Sequence, residues 1–326
     1  MFYTRYDNKP ALLVLVGPTA VGKTALAIKV AKHLNTEIIS ADSAQVYKRL
    51  DIGTAKPTPP ERKSARHHLI DIVEPDQNFS VADYQKLAYE KIEQLLRVGK
   101  LPFLVGGTGL YISAVIHGYA FGQKGANKEL RDTYERLADT EGLEQLHEKL
   151  KRIDPETASK IHPNDRKRII RALEVYNLEG KPISKQVNET NRESPPYSSL
   201  IFGLYMEREK LYQRIEQRVD DMLEQGWLEE VRNLYNHGYN EKDPGMQVLG
   251  YRQLIEYLKG ERDWEETRSE IKKQTRNLAK RQLTWFRREK SINWLTISEK
   301  IELDNLTENI CEKVKEIITF RANNNF

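Results

Sequence analysis

The 326-residue chain predicts an α/β fold: a doubly wound parallel sheet interrupted by an all-helical insert and followed by a helical C-terminal part. Three observations carry this. In the first third, short apolar runs that stop at glycine alternate with helical periodicity. Strand-like runs then vanish between about 124 and 196. One returns near 200, ahead of a long helical stretch. The expected domains are a core in two parts, 1–123 and 199–326, with a helical domain over 124–198 between them.

Residues Ala11 to Val16 are continuously apolar and end at Gly17, the pattern of a strand buried on both faces. A helix follows Lys23, with Leu26, Val30 and Leu34 four residues apart. Glu37 to Ala41 reads as a second strand and about Val81 to Val98 as a helix. Leu101 to Val105 reads as a third strand, closed by Gly106, Gly107 and Gly109. The insert carries helices at about Lys128–Ala138, Gly142–Lys151 and Asp165–Leu178, and closes on Ser194-Pro195-Pro196. Leu200 to Met206 returns as a strand. Beyond it Leu211, Ile215, Val219 and Met222 form an apolar helical stripe. Asp263 to Arg288 is a long helix opened by Asp263 and Glu266 in capping-box spacing. Ile292 to Ile297 reads as a last strand, before a helix ending near Phe320.

Composition narrows the classes. The net charge of +4 is small for this length, so any case for nucleic acid rests on where the charges lie. One cysteine, Cys311, excludes a disulfide framework and a cysteine-rich zinc module, and is expected as a small apolar residue on the last helix. No apolar run approaches the roughly 18 residues of a membrane span. Met1 to Pro10 is polar and lacks a signal-peptide core. A cytoplasmic monomer with no membrane contact is expected.

Gly17-Pro18-Thr19-Ala20-Val21-Gly22-Lys23-Thr24 is a P-loop, with a buried strand before it and a helix after it. This makes the core P-loop NTPase-like. Its glycines let backbone N–H groups curl around a diphosphate or triphosphate, and the helix N-terminus favours the anion. Lys23 can bridge phosphate oxygens and the Thr24 hydroxyl can ligate magnesium. The motif specifies a phosphorylated ligand and leaves the reaction open: phosphoryl transfer, or departure of diphosphate as a leaving group.

Asp42-Ser43-Ala44-Gln45-Val46-Tyr47 follows the second strand at the end that lines the ligand crevice in open α/β sheets. Asp42 there could ligate magnesium through water, accept a proton, or cap a helix. Asp51-Ile52-Gly53-Thr54-Ala55-Lys56-Pro57 is a polar loop supplying a hydroxyl and an ammonium. Gly106-Gly107-Thr108-Gly109-Leu110-Tyr111 reads as a second glycine turn that admits a substrate close to the backbone and places Thr108 beside it.

Together these segments resemble the tRNA dimethylallyltransferase (isopentenyl-tRNA transferase) family. The resemblance continues in His162-Pro163-Asn164-Asp165-Arg166-Lys167-Arg168-Ile169-Ile170-Arg171-Ala172-Leu173-Glu174 and in Arg214-Ile215-Glu216 with Arg218 and Met222. It extends to Gln247-Val248-Leu249-Gly250-Tyr251-Arg252 and to Arg281-Gln282 with Thr284-Trp285-Phe286-Arg287. The motifs run in family order over about residues 11 to 290. The resemblance implies transfer of dimethylallyl from dimethylallyl diphosphate to N6 of the adenine 3′ of the anticodon, position 37, with release of diphosphate. Asp42 would accept the N6 proton; Thr24 and Mg2+ would bind the diphosphate; Lys23 would neutralise its charge. Thr108 would fix the substrate. An arginine of the 214–218 helix would grip the diphosphate, Arg218 being favoured over Arg214. Eukaryotic relatives add a zinc-finger extension that one cysteine cannot build, so the chain reads as the bacterial form.

For the RNA, Arg166, Lys167, Arg168 and Arg171 crowd one helix start, and a second strip runs through Lys273, Arg276, Lys280, Arg287 and Arg288. Such strips suit a phosphate-backbone track. The resemblance assigns Arg166, Lys167, Arg168, Ile169 and Ile170 to contact with the tRNA anticodon stem-loop, along with Asp42, Ser43, Ala44, Gln45 and Thr108. The target base would leave its stack to reach the site, where Gln45 could read its edge. Tyr47, Tyr111, Trp285 and Phe286 are expected in the core before stacking on bases. His67 and His68 are expected to be structural. The rival readings are an ATP-dependent small-molecule kinase, a prenyltransferase acting on free adenine nucleotides, and a non-catalytic RNA-binding module. The basic strips and the ordered motifs disfavour the first two, and intact Lys23, Thr24 and Asp42 disfavour the third.

Overall fold

The computed structural model describes residues 5–6, 9–121, 127–185, 195–298 and 303–322. Ser194, from the expected linker, lies outside them. The chain forms two compact units: one from Met1–Ile116 with Pro196–Phe326, the other from His117–Pro195. Among the described residues no helix is long and apolar enough to cross a membrane.

The first unit opens with β1 (Arg5–Tyr6), β2 (Lys9–Val16), α1 (Lys23–His33), β3 (Ile38–Ala41), α2 (Pro59–Ser64), β4 (His67–His68), α3 (Val81–Arg97), β5 (Phe103–Gly106) and α4 (Gly109–His117). The second unit holds α5 (Lys128–Thr140), α6 (Leu143–Ile153), α7 (Pro155–Lys160) and α8 (Arg166–Glu179). The chain returns through β6 (Ser198–Tyr205), α9 (Arg208–Glu224), α10 (Trp227–Asn236), α11 (Tyr251–Leu258), α12 (Trp264–Phe286), β7 (Ile292–Thr296) and α13 (Leu303–Ala322). The second unit spans 117–195 where the sequence suggested 124–198. Both edges fall where regular structure stops, at the end of α4 and at the prolines before β6.

The sheet order is β4-β3-β5-β2-β6-β7, every neighbouring pair being parallel, with β1 antiparallel to β2 off this path. Central β2 explains its own composition. Leu12, Val14 and Val16 enter the core on one face; Ala11, Leu13 and Leu15 enter the core on the other. A strand covered on both faces has no polar side, and each of its buried Leu and Val side chains contributes roughly 1.5–3 kcal/mol.

Register then positions the site. Val16 pairs with Gly106, and Gly106 with Ala41. The three residues after these strands, Gly17, Gly107 and Asp42, therefore leave the sheet at one level. Helix ends are fixed locally: Ser80 and Asp83 form a reciprocal capping box on α3, and Asp263 caps α12 by accepting from the Glu266 amide.

The second unit closes its own core, with Leu146, Leu150, Ala158, Ile169, Ile170 and Leu173 buried together. Asp165 caps α8 by accepting from the Arg168 N–H, and Gly180 ends that helix in the left-handed region. In the first unit Cys311 is buried on α13. His67 and His68 serve β4: His67 Nδ1 lies 2.8 Å from the Ala65 carbonyl and His68 Nε2 lies 2.6 Å from Glu37.

Candidate active site

A cavity of about 1020 Å³ opens at the carboxyl ends of β2 and β3, lined entirely by the first unit. One wall is the P-loop. Gly22 sits at φ 100°, the left-handed conformation that glycine adopts without a Cβ clash, and α1 begins at the next residue. Thr19, Ala20, Gly22, Lys23 and Thr24 all reach the cavity. Lys23 turns its ammonium onto the loop, donating to the Gly17 carbonyl at 2.9 Å and the Pro18 carbonyl at 2.7 Å. Burial pulls its pKa down to about 8, the Asp42 carboxylate opposing this and Arg218 adding to it. The Thr24 hydroxyl has no hydrogen-bond partner among the described residues.

Asp42 and Arg218 line the same cavity. Asp42 Oδ1 accepts from the Ala44 N–H at 2.9 Å. No helix starts after Asp42, so it caps a turn rather than a helix; this occupies one oxygen and leaves Oδ2 without a partner among the described residues. Burial draws the Arg218 guanidinium below its usual value, with the Asp42 charge resisting. Asp42, Lys23 and Arg218 therefore share one electrostatic field. Arg214, one turn earlier on α9, is exposed and does not line the cavity.

The opposite wall is the 51–56 loop, held from below. Glu230 accepts the Asp51, Ile52 and Gly53 amides at 2.9, 2.8 and 3.3 Å, and the Tyr251 hydroxyl. Beneath it, fully buried Trp227 is pinned between two glycines. A Cβ on Gly53 would lie 1.9 Å from its Nε1, and one on Gly250 would lie 2.1 Å from its Cη2. Gln45 braces the same loop by donating to the Thr54 and Ala55 carbonyls, both at 3.3 Å.

Two expectations, for Lys56 and for the glycines after β5, are corrected. The Lys56 ammonium is not offered to a ligand: it is buried, donating to the Tyr47 carbonyl and to the Asp51 and Asp71 carboxylates. Burial works to raise the Asp71 carboxyl, but hydrogen bonds from Lys56 and Arg62 outweigh it and hold it low. The glycines after β5 admit protein rather than substrate. A Cβ on Gly107 would lie 2.5 Å from Gln282 Nε2, and one on Gly109 would lie 2.4 Å from Trp285 Cδ1. Thr108 does not line the cavity; its hydroxyl accepts from the Ser43 N–H at 2.9 Å. Ser43 and Ala44 do not line it either.

In the second unit, Ile169 and Ile170 are buried, at 0% and 3% exposure, so their side chains serve the core rather than RNA. Arg166 is tied to Glu135 and Asp139, Arg168 lies 3.4 Å from Asp165, and Arg171 pairs with buried Glu174. Lys167 is exposed and has no ion pair among the described residues. The α12 strip divides similarly. Lys273 and Arg276 pair with Glu270 and Glu216, whereas Lys280, Arg287 and Arg288, and Arg281 outside the predicted strip, have no ion pair among the described residues.

Of the aromatic candidates, Tyr47, Tyr111 and Phe286 are core, Tyr111 stacking on Tyr84 at 3.9 Å. Trp285 is exposed, its indole N–H donating to Ser113 at 3.0 Å. Glu230, Arg62 and Asp71 are not legible in the sequence as parts of the site, and Gln282 stands there only as a member of the Arg281-Gln282 motif, without a role. Glu230 and Gln282 act on loops far away in sequence, which no local pattern reveals.

A family model described as IPP transferase matches residues 45–289. The chain is 50% identical over 311 residues to a tRNA dimethylallyltransferase of Thermoanaerobacter sp. (strain X514), covering 95% of this chain and 99% of that relative. It is 50% identical over 315 residues to that of Carboxydothermus hydrogenoformans, covering 97% and 98%. The full-length tRNA isopentenylpyrophosphate transferase of Bacillus halodurans superposes with a TM-score of 0.70 at 42% identity, covering 96% of this chain and 99% of that one. A eukaryotic dimethylallyltransferase described as acting on tRNA superposes with a TM-score of 0.80 at 29% identity, covering 96% and 80%.

Proposed function

Since the chain belongs to the IPP transferase family, we propose that it moves dimethylallyl from dimethylallyl diphosphate to N6 of adenine 37 in tRNA, releasing diphosphate. The observation that carries this reading is the cavity where the P-loop, the Asp42 carboxylate and the Arg218 guanidinium meet. A kinase could use the same cradle and carboxylate; the family membership favours transfer to an amine, which would lose its proton to that carboxylate as it is alkylated.

In this reading the P-loop amides, Lys23 and Arg218 grip the diphosphate and stabilise the charge that grows as the C1–O bond breaks. N6 forms the new bond to C1, and its proton passes to Asp42 Oδ2. Oδ1 stays bound to Ala44, which fixes the carboxylate's orientation. The amine becomes acidic only as it alkylates, so the carboxylate acts late in the transition state. The Thr24 hydroxyl, without a partner among the described residues, is a hard oxygen donor that would hold magnesium beside the P-loop. When bound, the ion would neutralise further leaving-group charge. Lys167, together with Lys280, Arg281, Arg287 and Arg288 at and just past the end of α12, would offer cations to tRNA phosphates. The protein would act in the cytoplasm as a monomer.

The test mixes the protein with magnesium, radiolabelled dimethylallyl diphosphate and unmodified tRNA carrying adenine 37. Label should enter the tRNA, and should be lost with Asp42→Ala or when guanine replaces that adenine. Turnover of ATP or of free AMP, with no label in tRNA, overturns the reading.

A further inference from the structure

Gln282 lies on α12, 263 residues from Thr19 of the P-loop in sequence, yet its side chain joins two loops of the site. Its Oε1 accepts from the Thr19 N–H at 2.8 Å, and its Nε2 donates to the Gly107 carbonyl at 3.0 Å. The connection continues beyond Gly107. The Thr108 N–H donates to the Ala41 carbonyl at 3.1 Å, and the Thr108 hydroxyl accepts from the Ser43 N–H at 2.9 Å. Ala41 and Ser43 flank Asp42. One amide thus closes a hydrogen-bonded strap from the diphosphate cradle to the residues on either side of the carboxylate.

We infer that Gln282 is a positioning residue that sets the P-loop in register with Asp42, and so fixes where the leaving group sits relative to the base. This rests on the transfer reading given above. An amide suits the task because it accepts at one end and donates at the other, matching a backbone N–H on one loop and a carbonyl on the next. A carboxylate would face the Gly107 oxygen with a second acceptor. Gly107 belongs to the same device: a Cβ there would lie 2.5 Å from Gln282 Nε2 and 3.5 Å from the Gly17 carbonyl. The nearer atom is the end of a flexible side chain, so a methyl at 107 displaces the amide instead of breaking the sheet.

A misplaced register costs rate before it costs affinity. A shift on the order of 1 Å between reacting groups lowers turnover by up to about 10²-fold. The experiment measures single-turnover transfer to tRNA, affinity for dimethylallyl diphosphate, affinity for tRNA and Tm. The proteins compared are wild type, Gln282→Ala, Gln282→Met and Gly107→Ala. Gln282→Met fills the same space without polar ends, so it is the informative variant if Gln282→Ala lowers Tm. The expected result is a transfer rate reduced roughly ten- to hundred-fold in all three variants, with both affinities within about threefold of wild type. Transfer at the wild-type rate in Gln282→Met and Gly107→Ala overturns the inference, as does a loss wholly explained by weaker diphosphate binding. Absence of transfer in wild type would instead overturn the reading of the reaction.

Discussion

If Lys23 grips the donor diphosphate as proposed, donor binding should weaken as pH rises. In the ligand-free protein burial lowers its pKa from 10.5 to about 8. An anionic diphosphate against the ammonium would favour the charged form and is expected to return the value toward 10.5. Below pH 8 the free and bound states both hold the proton, so affinity is flat. Above it the free protein must take up a proton to bind, and affinity falls by about tenfold per unit. The loss is about tenfold at pH 9 and approaches a ceiling of roughly 300-fold, the full separation of the two values. The ligand does not confound this, because a terminal phosphate with a second pKa of about 6 is ionised throughout. Calorimetry with dimethylallyl diphosphate from about pH 7 to 9.5, in buffers of different ionisation enthalpy, reads both the affinity and the proton uptake. Lys23→Ala should bind weakly at every pH and lose the break near 8. Equal affinity at the two ends of that range, or a break that survives in Lys23→Ala, refutes the reasoning.

Three further outcomes are expected. Arg218→Ala should lower kcat/KM roughly ten- to hundred-fold, the loss of a charged hydrogen bond, while Arg214→Ala stays within about threefold; steady-state kinetics decide. Asp42→Asn retains the oxygen that accepts from Ala44, so Tm and tRNA affinity should stay near wild type while labelled transfer collapses. Neutralising Lys280, Arg281, Arg287 and Arg288 together should weaken tRNA binding at low salt. It should also flatten the dependence of log affinity on log salt by roughly one unit for each phosphate no longer neutralised, as filter binding across a salt series would read.

What sequence can reveal and what it cannot divide along chain distance. The β2 strand, the P-loop and the start of α1 are local features, and their residues are legible as such. Asp42 is legible because strand ends in parallel sheets converge. From sequence alone the glycines after β5 look like room for a substrate. Their role depends on Gln282 and Trp285, which pack there from α12. Lys56 looks like a cation for a ligand because the two carboxylates and the carbonyl that hold it come from different turns of the fold. In α8 the helical periodicity is clear, but pairing decides which charges stay free: Arg166 is engaged by Glu135 and Asp139 on α5, while Lys167 is exposed. Resemblance assigns the neighbouring isoleucines to RNA, and burial gives them to the core.

Gly53, Trp227 and Gly250, widely separated in the chain, share one volume. Each is harmless to change only if another changes with it. The indole cannot stay once either glycine gains a methyl group, and the glycines lose that constraint once the indole is reduced. The three positions are therefore sterically coupled. A side chain at 53 fits only with a smaller residue at 227, whereas position 250, at φ 93°, disfavours any side chain whatever stands at 227. Trp227→Ala should therefore tolerate Gly53→Ala better than Gly250→Ala, as Tm would show.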